Sequence, residues 1–200
     1  TFTYDVSPAL TANAFKRAYD VTLNTNGGTC STSSLTANYT FAGWATSASG
    51  EVVYADKASV KNLRNTAGTY NLYAKWTSTS VTLPTPTKTG YTFNGWNTAE
   101  NGTGTNYAAG ASYTPTTTTT LYAQWTAIKY EVKFNGNSLT SGSMSNQTFT
   151  YDVSQALTAN VFKRAYVVTL NANGGTCSTS SLTANYTFAG WATSTSGEAV

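Results

Sequence analysis

One hexapeptide, Tyr-Thr-Phe-x-Gly-Trp, occurs three times, at residues 39–44, 91–96 and 186–191, and constrains the fold more than any other stretch. Alternation along an extended chain puts Tyr39 and Phe41 on one face and Thr40 on the other, so a regular strand would send Trp44 away from its aromatic partners. Gly43 is where that regularity can break, because a glycine inside a strand marks a bulge that re-aims the next side chain. Gly95 and Gly190 stand in the same place before Trp96 and Trp191. Three aromatic rings at about 150–250 Å² each can remove several hundred Å² from water, a large share of a small module's core. The expected cores are Tyr39, Phe41 and Trp44 with Trp76, then Tyr91, Phe93 and Trp96 with Trp125, and finally Tyr186, Phe188 and Trp191.

A longer period contains the hexapeptide. Residues 1–53 return at 148–200 with six differences, Pro8/Gln155, Ala14/Val161, Asp20/Val167, Thr25/Ala172, Ala48/Thr195 and Val52/Ala199. Such self-similarity predicts a tandem array of which this chain is a window. The closing motifs divide it into modules at 1–76, 77–127 and 128–200, the last a near-copy of the first. Short connectors at 77–80 and 126–129 leave little slack, which predicts modules meeting end to end.

Thr makes up about a fifth of the chain, and Thr, Tyr and Val favour strands as Asn and Gly favour turns. The expected class is therefore mainly β, with at most short helices. Residues 19–24 alternate with Tyr19, Val21 and Leu23 inward, and Asn26-Gly27-Gly28 turns the chain. The same pattern recurs at Tyr166, Val168 and Leu170, and at Tyr130, Val132 and Phe134. Residues 51–54 read as a further strand, and Leu72, Ala74 and Trp76 share one face of a closing strand that Leu121, Ala123 and Trp125 repeat. Helical turns are expected at 7–12, where Ser7 precedes Pro8, and at 55–63, where Val60 and Leu63 lie three apart.

The hexapeptide, Leu-Tyr-Ala-[Lys/Gln]-Trp, Asn-Gly-Gly after an alternating strand and Leu-Pro-Thr-Pro-Thr-Lys-Thr-Gly together resemble the Listeria-Bacteroides repeat family, which includes the B repeats of internalin-type surface proteins. The resemblance covers nearly the whole chain and implies tandem β-grasp-like modules on secreted or wall-attached bacterial proteins. Two departures stand out. The unit ending at Trp76 has Asn-Gly-Gly but lacks the Leu-Pro-x-Pro connector, whereas the unit ending at Trp125 has the connector but no Asn-Gly-Gly.

No constellation for chemistry is visible. Histidine is absent, which removes the commonest general base, a Ser-His-Asp triad and most zinc sites. The eight carboxylates are dispersed, and no glycine-rich phosphate loop precedes a helix. Catalytic, cofactor and metal residues are accordingly expected to be none. Eleven scattered basic residues against eight acidic ones give a net charge of +3, too thin for the basic face that nucleic acid requires. No apolar run approaches the roughly 18 residues of a membrane span, so no membrane insertion is expected in this segment. Cys30 and Cys177 occupy equivalent places in two copies, and an exposed thiol there would favour an inter-chain contact, while a small buried residue that fills its place is the plainer reading. The function expected is that of a non-catalytic extracellular or cell-surface stalk, filament or adhesive array. Its partners would be other copies of the repeat or host and matrix surface molecules. The alternative is a carbohydrate- or protein-binding module using exposed Tyr and Trp faces.

Overall fold

The computed structural model describes residues 5–196, and the chain resolves into two compact units, Thr1–Thr126 and Ala127–Val200. Among the described residues all regular structure is β, with no helix. The first unit contains β1 (Arg17–Asn24), β2 (Ser34–Ala45), β3 (Tyr73–Thr77), β4 (Val81–Thr82), β5 (Tyr91–Asn97), β6 (Asn106–Tyr107), β7 (Ser112–Tyr113) and β8 (Thr119–Ala127). Six of these form one sheet in the order β3-β2-β1-β8-β5-β6, and β4 pairs with β7 apart from it.

The alternating strand β1 is central because both of its edges are used. It pairs antiparallel with β2, Val21 opposite Leu35, and parallel with β8, Val21 opposite Thr119 through Asn24 opposite Tyr122. Its inward residues Val21 and Leu23 are buried with Leu83, Trp96, Leu121 and Ala123, and Phe93, Trp125, Tyr107 and Tyr113 close over this group. Each fully buried Leu or Val there contributes about 1.5–3 kcal/mol relative to an exposed one. The sheet thus joins residues 1–76 and residues 77–126 side by side, not end to end as the short connector at 77–80 suggested.

That arrangement accounts for the departures in the motifs. The turn at Asn26 and Gly27 has positive φ at both residues (47° and 82°), as a type I′ turn requires. It seats against the Pro-rich connector: Thr29 and Thr87 exchange two main-chain hydrogen bonds of 2.8 Å each. Asn26 Nδ2 donates to Ala123 O (2.9 Å), Lys88 Nζ donates to Asn26 O (3.1 Å) and Trp125 Nε1 donates to Thr25 O (2.9 Å). The Asn-Gly-Gly strand and the Leu-Pro-Thr-Pro connector, split in sequence by some fifty residues, are neighbouring parts of one folded core.

The helical turns expected at 7–12 and 55–63 do not form. These stretches lie alongside each other, with an Ala9–Ser59 bridge, Leu10 N donating to Ala58 O (2.8 Å) and Val60 N to Pro8 O (3.1 Å). Burial of Leu10 and Val60 between extended segments satisfies the main chain that a one- or two-turn helix would leave unpaired. The strand expected at 51–54 reduces to a Trp44–Tyr54 bridge.

The second unit contains β9 (Lys129–Val132), β10 (Gln147–Thr150), β11 (Arg164–Thr169) and β12 (Ser181–Tyr186). They form two hairpin sheets, β9 with β10 and β11 with β12. The register of β11 on β12, from Arg164 opposite Tyr186 to Thr169 opposite Ser181, repeats that of β1 on β2 residue for residue. Phe134 and Phe149 are its buried aromatics.

Candidate functional surface

The three hexapeptides share a geometry that the sequence anticipated in part. The pairing of β2 with β3 shifts register between Phe41 and Gly43, and Gly43 has φ 147°. A Cβ at Gly43 would lie 2.5 Å from Val52 Cγ1 and 2.7 Å from Tyr54 O, so the glycine also admits the bridging segment. The irregularity brings Trp and Phe together edge to face in every copy: Phe41 with Trp44 at 5.0 Å, Phe93 with Trp96 at 5.6 Å and Phe188 with Trp191 at 4.9 Å.

Burial differs among the copies. Trp96 is wholly buried, and its Nε1 donates to Pro84 O at 2.8 Å. Tyr91, Phe93 and Trp125 are half-buried around it, as are Tyr39, Phe41, Trp44 and Trp76 in their own cluster. The indole N–H of Trp44 has no hydrogen-bond partner. In the third copy Trp191 is half-buried, but Tyr186 and Phe188 are exposed, against the expectation of a third core. Among the described residues β12 pairs only with β11 and the stretch after Tyr186 has no paired strand, whereas β3 covers the equivalent stretch of β2.

Next to that stretch lies a cleft of about 620 Å³, lined among others by Phe134, Asn135, Phe162, Phe188 and Trp191. Phe134 packs on Trp191 at 4.8 Å and Phe162 meets it edge-on at 6.1 Å. An aromatic-walled cleft with amide rims suits a sugar or peptide face.

Sequence reasoning missed a second repeated arrangement. Arg17 lies over the rings of Tyr19 and Tyr39, 5.3 and 5.0 Å from their centroids, and Arg164 lies over Tyr166 and Tyr186 at 5.3 and 5.1 Å. Each arginine also donates to the hydroxyl of the tyrosine two residues on, Arg17 Nη2 at 2.8 Å and Arg164 Nη2 at 2.7 Å. The signal was present as Arg-Ala-Tyr with a tyrosine directly opposite the arginine in the facing strand. Tyr39 OH in turn donates to Pro115 O, which ties the clamp of the first unit to the approach of β8. Arg17→Met keeps the apolar stem and removes the charge, and is expected to cost the first unit about 0.5–1 kcal/mol, read as a shifted denaturation midpoint.

Two further polar side chains, those of Asn97 and Tyr113, belong to the core region of the first unit. Asn97 is buried, donates to Gly102 O and Gly104 O and accepts from Ala99 N and Gly104 N, which closes the loop between β5 and β6. Burial pushes the Tyr113 hydroxyl above its ordinary value, and neighbouring Tyr107 adds to the effect. No group of three or more His, Cys, Asp or Glu residues lies close enough to hold a metal among the described residues. Cys30 is half-buried against the core of the first unit, whereas its counterpart Cys177 is exposed, and both are free thiols.

The Listeria-Bacteroides repeat domain matches at residues 34–75 and again at 76–124. A protein of Evansella cellulosilytica named as a Gly-rich membrane protein is 44% identical over 63 residues, 28% of this chain and 7% of that protein. This chain therefore spans a small part of that relative's length. No helix among the described residues is long and apolar enough to cross a membrane. No solved structure matches the chain.

Proposed function

Because residues 34–124 are two tandem repeats of the Listeria-Bacteroides family, a repeat of bacterial surface proteins, we propose that the chain is a non-catalytic extracellular stalk whose first unit resists extension. One observation carries this reading: β1 and β8, near the two ends of that unit, lie side by side and parallel. Tension along the chain enters β1 at its N-terminal end and leaves β8 at its C-terminal end. In parallel neighbours these pulls are opposed along the strands, so the hydrogen bonds between them are sheared together instead of being opened one at a time.

Among the described residues, the β hairpins of the second unit have no such clasp. Pulling the chain by its ends should open the second unit first, at low force. The first unit should then break in one step, releasing about 37–40 nm of extended chain between β1 and the end of β8. Two separate steps at low force, one for each sequence module, would contradict a stalk built on this clasp. Repeated weak contacts made by many such units would add avidity without a new site.

The cleft at Trp191 and Phe134 favours a second reading, a carbohydrate- or protein-binding module. Titration with bacterial-wall and host-matrix glycans, followed by the fluorescence of Trp191 against a Trp191→Phe control, tests it. A signal that persists in the control belongs to another tryptophan and argues against the cleft.

A further inference from the structure

Three Asn-Gly pairs stand in the first unit, Asn26-Gly27, Asn94-Gly95 and Asn101-Gly102. Each has the sequence for spontaneous deamidation, because a following residue without a Cβ leaves its main-chain nitrogen open to the asparagine side chain. Their surroundings set them apart. Asn26 Nδ2 is held on Ala123 O at 2.9 Å and Asn94 Nδ2 on Thr126 Oγ1 at 2.6 Å, so in both the nitrogen that must leave is bonded to β8. Asn101 is exposed in the loop between β5 and β6, and its side chain is bonded only at Oδ1, by Thr103 N at 3.2 Å and Thr103 Oγ1 at 2.7 Å. The strands that hold this loop, β5, β6 and β8, all lie within residues 91–127.

We propose that Asn101 is a site of spontaneous deamidation and that its isoaspartyl product unlocks the loop between β5 and β6. The Gly102 nitrogen gives its proton to hydroxide and attacks Asn101 Cγ. The new N–Cγ bond forms as the Cγ–Nδ2 bond breaks, and the electron pair of the broken bond leaves on ammonia, which takes a proton from water. Water then opens the five-membered succinimide at either carbonyl. One opening gives an aspartyl residue, and the other an isoaspartyl residue whose main chain runs through Cβ and Cγ and is one atom longer. The two donors on Oδ1 lie where negative charge gathers during the attack. The bond from Gly102 N to Ala99 O, 3.0 Å, has to open first, which needs the breathing of one exposed turn and not of the sheet.

Gly102 couples the site to the core. Its carbonyl accepts from Asn97 Nδ2 at 3.2 Å, and buried Asn97 also bonds Gly104 O, Ala99 N and Gly104 N. An extra main-chain atom before Gly102 shifts that carbonyl, and a buried amide that loses an acceptor has no water to replace it. This inference does not depend on the stalk reading, since it concerns the loop and not the clasp between β1 and β8.

The test incubates the full chain at mildly alkaline pH in water enriched in heavy oxygen, so that each succinimide opening is marked by mass, and maps the peptides. In the folded chain Asn101 should convert at least about tenfold faster than Asn26 and Asn94, and in guanidinium chloride the three rates should converge. Equal rates in the folded chain, or an advantage of Asn101 that survives in denaturant, would overturn the proposal. Hydrogen exchange tests the unlocking. The isoaspartyl form, isolated by chromatography, should exchange the amide hydrogens of Ala99 and Gly104 at least about tenfold faster than an Asn101→Asp chain, which carries the new charge without the extra atom. Equal protection in the two would overturn the coupling to Asn97.

Discussion

Replacing Trp96 by Ala should lower the stability of the first unit by about 3–5 kcal/mol, the usual cost of removing a large aromatic from a packed core. Trp96 has no exposed surface, stands edge-on to Phe93 at 5.6 Å and holds Pro84 O at 2.8 Å through its indole N–H. A loss of that size is a large fraction of the roughly 5–15 kcal/mol that holds a domain folded, so the denaturation midpoint of the first unit should fall far below the parent's. Trp44→Ala should cost less, because Trp44 is only half-buried and its indole N–H makes no bond that the change would remove. Circular dichroism during denaturation reads both. A Trp96→Ala chain that melts like the parent, or a Trp44→Ala chain that is the weaker of the two, would contradict this placement of the core.

The contrast between Trp96 and Trp44 shows what the sequence could and could not convey. The hexapeptide predicted an irregularity at glycine and a Phe–Trp contact, both local consequences of strand alternation, and all three copies have the contact. Depth of burial was not local. Trp96 lies under β4, β6 and β7, while Trp44 has Phe15, Phe41 and the Tyr54 bridge around it. Tyr186 and Phe188 have the same immediate neighbours in sequence as Tyr39 and Phe41, yet they are exposed, because the strand that covers the first copy comes from thirty residues further along. The short helices failed for a related reason: 8–10 and 58–60 found each other across fifty residues, a pairing that spacing within either stretch could not reveal. The resemblance to a repeat family was legible throughout, but the route by which one repeat borrows its front strand across an intervening segment was not.

That borrowing can be tested at a pair of glycines with identical neighbours on both sides. A Cβ on Gly28 would lie 2.7 Å from Thr87 O and 2.7 Å from Trp125 Cζ2, and the first of these is main chain that is itself bonded to Thr29. Neither atom can give way without moving the connector or the closing tryptophan, so Gly28→Ala should destabilise the first unit by about 1–3 kcal/mol through overpacking. Gly175 stands at the equivalent place in the second copy, where a Cβ would meet only Ala172 O at 3.3 Å. Gly175→Ala should therefore lie between neutral and a gain of about 0.4–1 kcal/mol, from the reduced freedom of the unfolded chain. Separate denaturation midpoints for the two units, followed by the fluorescence of Trp125 and Trp191 with the other tryptophans replaced by Phe except Trp96, measure each effect in its own unit. Equal losses at the two positions would mean that the turn itself rejects a side chain. A loss confined to Gly28→Ala would mean that what rejects it is the Pro-rich connector and Trp125 packed against the front strand.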